Sequence, residues 1–241
     1  RPSPASAWPN WPRRKPPAPK RLLLNNPGSP AVNGTFSDSF RADLRDLMRW
    51  RRDVRRFRTD PIEAAVLNRC LDAFSLAPSV GLSQPWRVIK VTSDQARAAA
   101  IANFMAANSD ALAGYCDEKA RLYAGLKLSG MCEAPIHLAV FCDDATTKGT
   151  QLGARTMPET RAYSVVSAIT QFWLLARAEG LGVGWVSILD PARLCQDLQV
   201  SPDWRLIGYL CVGLPETLDD TPELERAGWE IRDNTLWMES R

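Results

Sequence analysis

Apolar residues recur at helical spacing from residue 40 onward. Phe40, Leu44, Leu47 and Met48 fall on one face, and Ser37 or Ser39 is placed to cap, so a helix is predicted to run into "RWRRDVRRFRTDP" (49–61). "DPIEAAVLNRCLDAFSLAPS" repeats the pattern, with Asp60 as N-cap, Pro61 at the first helical position and Pro78 as the stop. The period then shortens. "WRVIKVT" (86–92) predicts a strand, residues 94–131 predict two helical segments broken near Asn108–Asp110, and "IHLAVFC" (136–142) predicts a second strand. After a loop over 143–158, "TRAYSVVSAITQFWLLARAEG" is apolar on much of its circumference, which predicts a central helix ended by Gly180. "VGWVSI" (183–188), a short helix over 191–199 and "RLIGYLCVG" (205–213) complete the body. Helices interleave with strands, so a sheet with helices packed on it is expected.

Composition narrows the class. A chain of 241 residues with 45% hydrophobic content is long enough for one well-buried core. Nine of the 18 prolines fall within residues 1–30, and residues 1–37 carry six basic side chains and no acid. Residues 1–37 therefore read as a flexible, basic, proline-rich tail, and 38–241 as the folded domain. That body holds 24 basic and 27 acidic residues, so it is mildly acidic and offers no broad nucleic-acid face. No window approaches the ~18 apolar residues needed to cross a bilayer. The six cysteines are irregularly spaced, without a C-x-x-C pair, and read as buried, reduced thiols of a cytoplasmic protein.

Histidine is the most informative count. His137 alone is present, inside the strand-like "APIHLAVFC", where a packed histidine is expected rather than a catalytic one. A zinc site, a Ser-His-Asp triad and a Cys-His couple each lose a required part, and no metal is expected. Any hard chemistry then falls to a bound cofactor.

Two stretches carry candidate chemistry. Arg51, Arg52 and Arg55 follow a helix end, and their guanidinium forks suit one anion, with phosphate the natural guest; a solvated charge run is the alternative. Asp53 in their midst either neutralises Arg52 or Arg56 or faces another part of the same ligand. In "APSVGLSQPWRVIKV" (77–91), two prolines, Ser79 and Gly81 set a tight loop, and Gln84 offers an amide suited to a heterocycle edge. "EGLGVGWVS" is not a dinucleotide fingerprint: the third required glycine is missing, and the stretch leaves a helix to enter a strand, the reverse of the required order.

The succession "RRDVRRF", "APSVGLSQPWRVIKV", "LKLSGMCEAPIHLAVFCD" and "ARAEGLGVGWVSIL" resembles the nitroreductase-like flavoprotein superfamily over residues 38–235. Within it, "RRDVR" joined to "GVGWVSI" is similar to the branch that fragments reduced FMN with oxygen to 5,6-dimethylbenzimidazole, the lower ligand of cobalamin. The resemblance implies an α+β fold with a mixed, mostly antiparallel central sheet flanked by helices. It further implies a homodimer with the flavin site at the interface, FMN as substrate, molecular oxygen as co-substrate, and a flavin reductase as the supplier of reduced FMN. Position by position, Arg51, Arg52, Arg55 and Arg232 would hold the phosphate, and Pro78, Ser79, Val80 and Gln84 would line the ring. Gly182, Val183 and Gly184 would let the backbone approach the ring, while Asp53 and Ser187 would stand at its reactive region. A lid over residues 105–130 is expected, because the reaction needs water excluded. The chain departs from the family pattern at Leu82, Ser83, Ser129, Thr160 and Arg161. Two other readings use the same site: an FMN-dependent NAD(P)H nitro- or quinone-reductase, and a non-enzymatic flavin-binding protein.

Overall fold

The computed structural model describes residues 34–241, so most of the expected tail lies outside the described residues. Residues 42–241 form one compact unit, separate from the residues before them. At the start of helix α1 (Asp38–Trp50), Ser37 Oγ accepts the Phe40 amide at 3.2 Å, the anticipated N-cap, and the Phe36 and Phe40 rings stack at 4.6 Å. Among the described residues, α1 buries none of its side chains.

The unit 42–241 is organised by strands β1 (Trp86–Lys90), β2 (Ile136–Asp143), β3 (Gly182–Val186) and β4 (Trp204–Gly213). Their order is β1-β2-β4-β3, and every neighbouring pair is antiparallel. The register sets Val88 opposite Val140, Ala139 opposite Tyr209 and Trp185 opposite Leu210, with a bulge between Val140 and Phe141. β2 is buried on both faces, which is why it reads as an unbroken apolar run rather than an alternating one.

Its two faces serve two cores. Leu138 and Val140 meet Val165, Ile169 and Phe172 of helix α6 (Thr160–Ala178), together with α2 (Ala64–Leu71) and α3 (Ala73–Leu76). Ala139 and Phe141 face the other way, with Tyr209 and Cys211, toward Ala100 of α4 (Asp94–Ala113), Leu194 of α7 (Pro191–Asp197) and Phe57. Side chains such as Phe172, fully buried, contribute about 2–3 kcal/mol each. Asn103 joins α4 to α7: its amide donates to the Asp190 carbonyl at 2.9 Å and accepts the Asp190 N–H at 2.7 Å. Two further helices, α5 (Asp117–Gly125) and α8 (Glu223–Arg226), lie outside the sheet.

Several boundaries differ from expectation, each for a local reason. Asp60 does not cap a helix; both its oxygens accept from Arg58, at 2.9 and 3.0 Å, and the helix starts at Ala64 and breaks between Leu71 and Ala73. α4 runs through Asn108–Asp110 to Ala113, and the break falls instead at Gly114–Cys116, after which α5 ends at Gly125. α6 stops where Gly180 was expected to stop it. Gly180, at φ +83°, donates to the Arg177 carbonyl and Leu181 to the Ala176 carbonyl at 2.8 Å, a Schellman closure. Cys70, Cys142 and Cys211 are buried and Cys195 half-buried as expected of structural thiols, but Cys116 and Cys132 are exposed.

Candidate active site

The arginine stretch is positioned by β3. Residues 51–58 are extended and lie along the free edge of that strand: Val54 donates to the Val183 carbonyl at 3.0 Å, and Asp53 pairs with Val183 in a parallel bridge. Asp53 Oδ1 accepts the Trp185 N–H at 2.8 Å, so its side chain supplies an acceptor to the otherwise open edge. Further on, Phe57 bridges Pro215, Arg58 donates to the Leu214 carbonyl and Glu216 to the Arg56 carbonyl. The segment is thus clipped to β3 at one end and to the exit of β4 at the other. Phe57, 1% exposed, anchors it in the core, while Trp50, 40% exposed, stays outside that core.

This clipping explains the glycines of "GVGW". A Cβ on Gly184 would stand 2.2 Å from the Val54 carbonyl oxygen, and one on Gly182 would stand 2.8 Å from a Val54 methyl. The Cβ positions of Gly182 and Gly184 are therefore taken by this chain's own Val54. Only glycine lets the arginine segment approach so closely.

The clipped segment turns Arg51, Arg52, Asp53 and Arg55 toward a cavity of about 260 Å³, which Pro222, Glu223, Leu224 and Arg232 complete. A second cavity of about 410 Å³ adjoins it, sharing Arg52, Asp53 and Arg55 and reaching Trp50, Trp173, Arg177, Gly182 and Val183. Within this wall Asp53 neutralises Arg55, at 2.8 Å, rather than Arg52 or Arg56. Arg55 also donates to the Lys127 carbonyl at 3.2 Å. The remaining cations have weaker compensation. Arg52 donates only to main-chain oxygens, of Asp220 at 2.7 Å and Arg51 at 2.9 Å, and Arg51 lies 4.7 Å over the Trp173 ring. Burial lowers the Arg51 and Arg52 pKa values, and the charges of Arg232 and Arg51 lower that of Arg52 further. Four guanidinium groups against the two carboxylates of Asp53 and Glu223, with donors to spare, fit a dianion such as a phosphate monoester.

The other expected site residues stand apart. Pro78, Ser79, Val80 and Gln84 line neither of these cavities. Their loop is held by Ser164, whose hydroxyl accepts the Val80 N–H at 3.0 Å, and by packing of Gly81 against the carbonyls of Gly149 and Leu152. Gly81, Leu82 and Gln84 have φ of 56°, 54° and 44°, and Gly149, Thr150, Gln151 and Gly153 opposite them are also left-handed. Such a concentration of left-handed backbone is typical of ligand-binding loops. The Gln84 amide oxygen accepts from Lys148. Gly184 lines neither cavity, and Ser187, just beyond the end of β3, is exposed and lines neither.

His137 takes no part in this site. It is fully buried in β2, its Nδ1 shares a 2.8 Å hydrogen bond with the Tyr209 hydroxyl, and burial lowers its pKa to about 4. Trp173, Arg177, Lys127 and the 219–224 turn were not anticipated as neighbours of the arginines, and no local motif announces them. Among the described residues no group of three or more histidine, cysteine or acidic side chains is placed to hold a metal, and no helix is long and apolar enough to cross a membrane.

Comparison with known proteins agrees with this architecture. The chain is 52% identical over 197 residues to a Rhodospirillum rubrum protein named 5,6-dimethylbenzimidazole synthase, covering 82% of this chain and 93% of that one. A Rhodobacter capsulatus protein of the same name is 48% identical over 202 residues, covering 84% and 98%. A crystal structure of oxidized iodotyrosine deiodinase bound to FMN and 3-iodo-L-tyrosine superposes with a TM-score of 0.65 at 20% identity, over 82% of this chain and 99% of that one, which speaks to the fold alone. The description of one family, the nitroreductase family, matches residues 48–214. With that match spanning the sheet and the Arg51–Arg55 segment, and with relatives near half identity along most of the chain, the protein belongs to the nitroreductase family.

Proposed function

We propose that this protein makes 5,6-dimethylbenzimidazole, the lower ligand of cobalamin, by oxygen-dependent fragmentation of reduced FMN. The observation that carries the reading is the 260 Å³ cavity walled by Arg51, Arg52, Arg55 and Arg232, because a phosphate-tailed substrate answers the excess of guanidinium charge there. The names of the R. rubrum and R. capsulatus relatives supply the reaction class. When bound, reduced flavin supplies its own reactivity toward oxygen; the residues bind it, orient it and keep water away.

Each residue then has a part. Arg51, Arg52 and Arg232 hold the phosphate. Arg55 is tied to Asp53 and to Lys127, so it fixes the wall between the two cavities. Asp53 Oδ1 is engaged by Trp185 and Oδ2 by Arg55; when the Arg55 contact opens, Oδ2 is the oxygen free to accept a proton. Ser187 orients the reacting end of the substrate through its hydroxyl.

The site reads as complete only in a homodimer. α1 buries nothing among the described residues, and α6 presents Tyr163, 57% exposed, and Val166, 40% exposed, one helical turn apart. The left-handed loop 78–84 lines neither arginine cavity, so in a dimer it serves the ring end of a site whose phosphate end lies on the other copy. Residues 105–130, including α5, act as the lid, and a separate flavin reductase supplies the reduced FMN.

The test is to mix the protein with chemically reduced FMN, admit air and identify products by chromatography with mass detection. Dimethylbenzimidazole should form, and Asp53→Asn and Ser187→Gly should each abolish it while FMN still binds. Quantitative recovery of oxidised FMN would reject the reading; turnover of NAD(P)H on the retained flavin would replace it with a reductase.

A further inference from the structure

Arg232 reaches the anion cavity from residues 230–241, which form neither helix nor strand and are exposed throughout. A flexible arginine loses much of its value to a phosphate in ordering entropy unless something fixes its backbone. The fixing elements lie just before it. α8 ends in a Schellman closure, with Gly228 at φ +73°, the Gly228 N–H on the Glu225 carbonyl at 3.0 Å and the Trp229 N–H on the Leu224 carbonyl at 2.9 Å. This closure aims Trp229 away from the helix.

There Trp229 meets an aromatic clamp. Tyr115 and Tyr123 stack at 4.9 Å, and Trp229 stands edge-on to both, at 5.6 and 6.1 Å. Lys119 lies 4.6 Å over the indole and donates to the Trp229 carbonyl at 3.1 Å. Tyr123 is itself held, donating to Asn108 at 2.8 Å, so the clamp rests on both α4 and α5. Three residues of chain span at most about 10 Å, so a fixed Trp229 confines Arg232 to the neighbourhood of the cavity. Arg52 and Arg232 line the same cavity, and the Arg232 charge is one cause of the lowered Arg52 pKa. Beyond the end of α5, the Lys127 carbonyl accepts from Arg55, which lines the same cavity.

We propose that Trp229 is a positioning residue for phosphate recognition: gripped by Tyr115, Tyr123 and Lys119, it holds Arg232 in the anion cavity and ties α5 to that cavity's occupancy. The inference rests on the FMN reading above and adds a role for residues that touch no ligand themselves. Its signature is selectivity for the phosphate, which separates positioning from general support of the fold.

The experiment measures binding of oxidised FMN and of riboflavin, which lacks the phosphate, by quenching of flavin fluorescence. Loss of one charge-assisted contact corresponds to about tenfold or more in Kd, so Arg232→Ala should weaken FMN by that factor and leave riboflavin unchanged. Trp229→Ala should do the same, and Trp229→Phe should restore most of the loss. Trp229→Ala combined with Arg232→Ala should be no weaker than Arg232→Ala alone. Tyr115→Ala, at a partly exposed position that spares the core, should shift FMN in the same direction should Trp229→Ala not fold. FMN affinity unchanged in Trp229→Ala and in Tyr115→Ala, equal losses for riboflavin, or multiplying losses in the double variant would each overturn the proposal while leaving the FMN site intact. Failure of Arg232→Ala to weaken FMN relative to riboflavin would overturn it through the anion cavity itself.

Discussion

The chain's one histidine makes its acid sensitivity unusually simple to read. His137 is buried beside Tyr209 with a pKa lowered from 6.5 to about 4, chiefly by desolvation and secondarily by the Arg97 charge. Unfolding releases it to its ordinary value, so between those limits the unfolded chain binds the extra proton. Stability is therefore complete above about pH 7 and falls as the pH drops through 6.5 toward 4, below which both states are protonated. The gap from 6.5 to about 4 corresponds to roughly 3 kcal/mol, of which about 2 kcal/mol is lost between pH 7.5 and 5. Carboxylates held low by arginine, such as Asp60 and Asp144, weaken the fold only in more acid solution, so this window belongs to His137. Urea denaturation of flavin-free protein at pH 7.5, 6.5, 5.5 and 5 should show the decline, and NMR should place the titration of the single imidazole near 4. His137→Phe should lower the baseline, because the Tyr209 hydroxyl loses its partner, yet flatten the slope. A wild-type free energy constant within about 0.5 kcal/mol across the window, or an unchanged slope in His137→Phe, would refute the reasoning.

Two further outcomes follow from packing and exposure. Gly184→Ala sets a methyl against the Val54 carbonyl, so the arginine segment must leave β3; stability should fall by about 3 kcal/mol or more, and FMN affinity should fall with it. A Gly184→Ala protein with wild-type melting and flavin binding would show that the segment is not clipped as described. In a thiol titration of the native protein at neutral pH, Cys116 and Cys132 should react fast. Cys70 and Cys142, raised to about 11 and 12 by burial, and Cys211, raised further, should react only after denaturation; a third fast thiol among them would contradict their burial.

The fold was legible where one physical signal dominated. β2 and β4 read as strands because their apolar runs are buried on both faces, and α6 ended at Gly180 because a left-handed closure there favours glycine. The start of α2 departs from its sequence signal: an aspartate before proline signals a cap, whereas Asp60 is taken by Arg58 two residues back. Of the site, the convergence of Arg51, Arg52 and Arg55 with Asp53 could be read from one short stretch. Arg232 came only from the family resemblance. The purpose of Gly182 and Gly184 could not be read, because it lies in contact with a segment some 130 residues earlier. Likewise the Trp229 clamp joins α4, α5 and the region after α8 through contacts that leave no periodic trace.

The strand order also bears on how this protein is made. β4 is the last of these four strands to leave the ribosome, yet it is an inner strand, hydrogen-bonded to β2 on one side and β3 on the other. Until about residue 213 has emerged, β2 and β3 lack their main partner, and the arginine segment has no completed sheet to lie against. The nascent chain therefore carries an unpaired edge on β2 from about residue 143, joined by one on β3 from about residue 186, until β4 emerges, a state open to aggregation. Closure of the sheet must come late, and the anion cavity, which needs Pro222–Leu224 and Arg232, can be completed only after it.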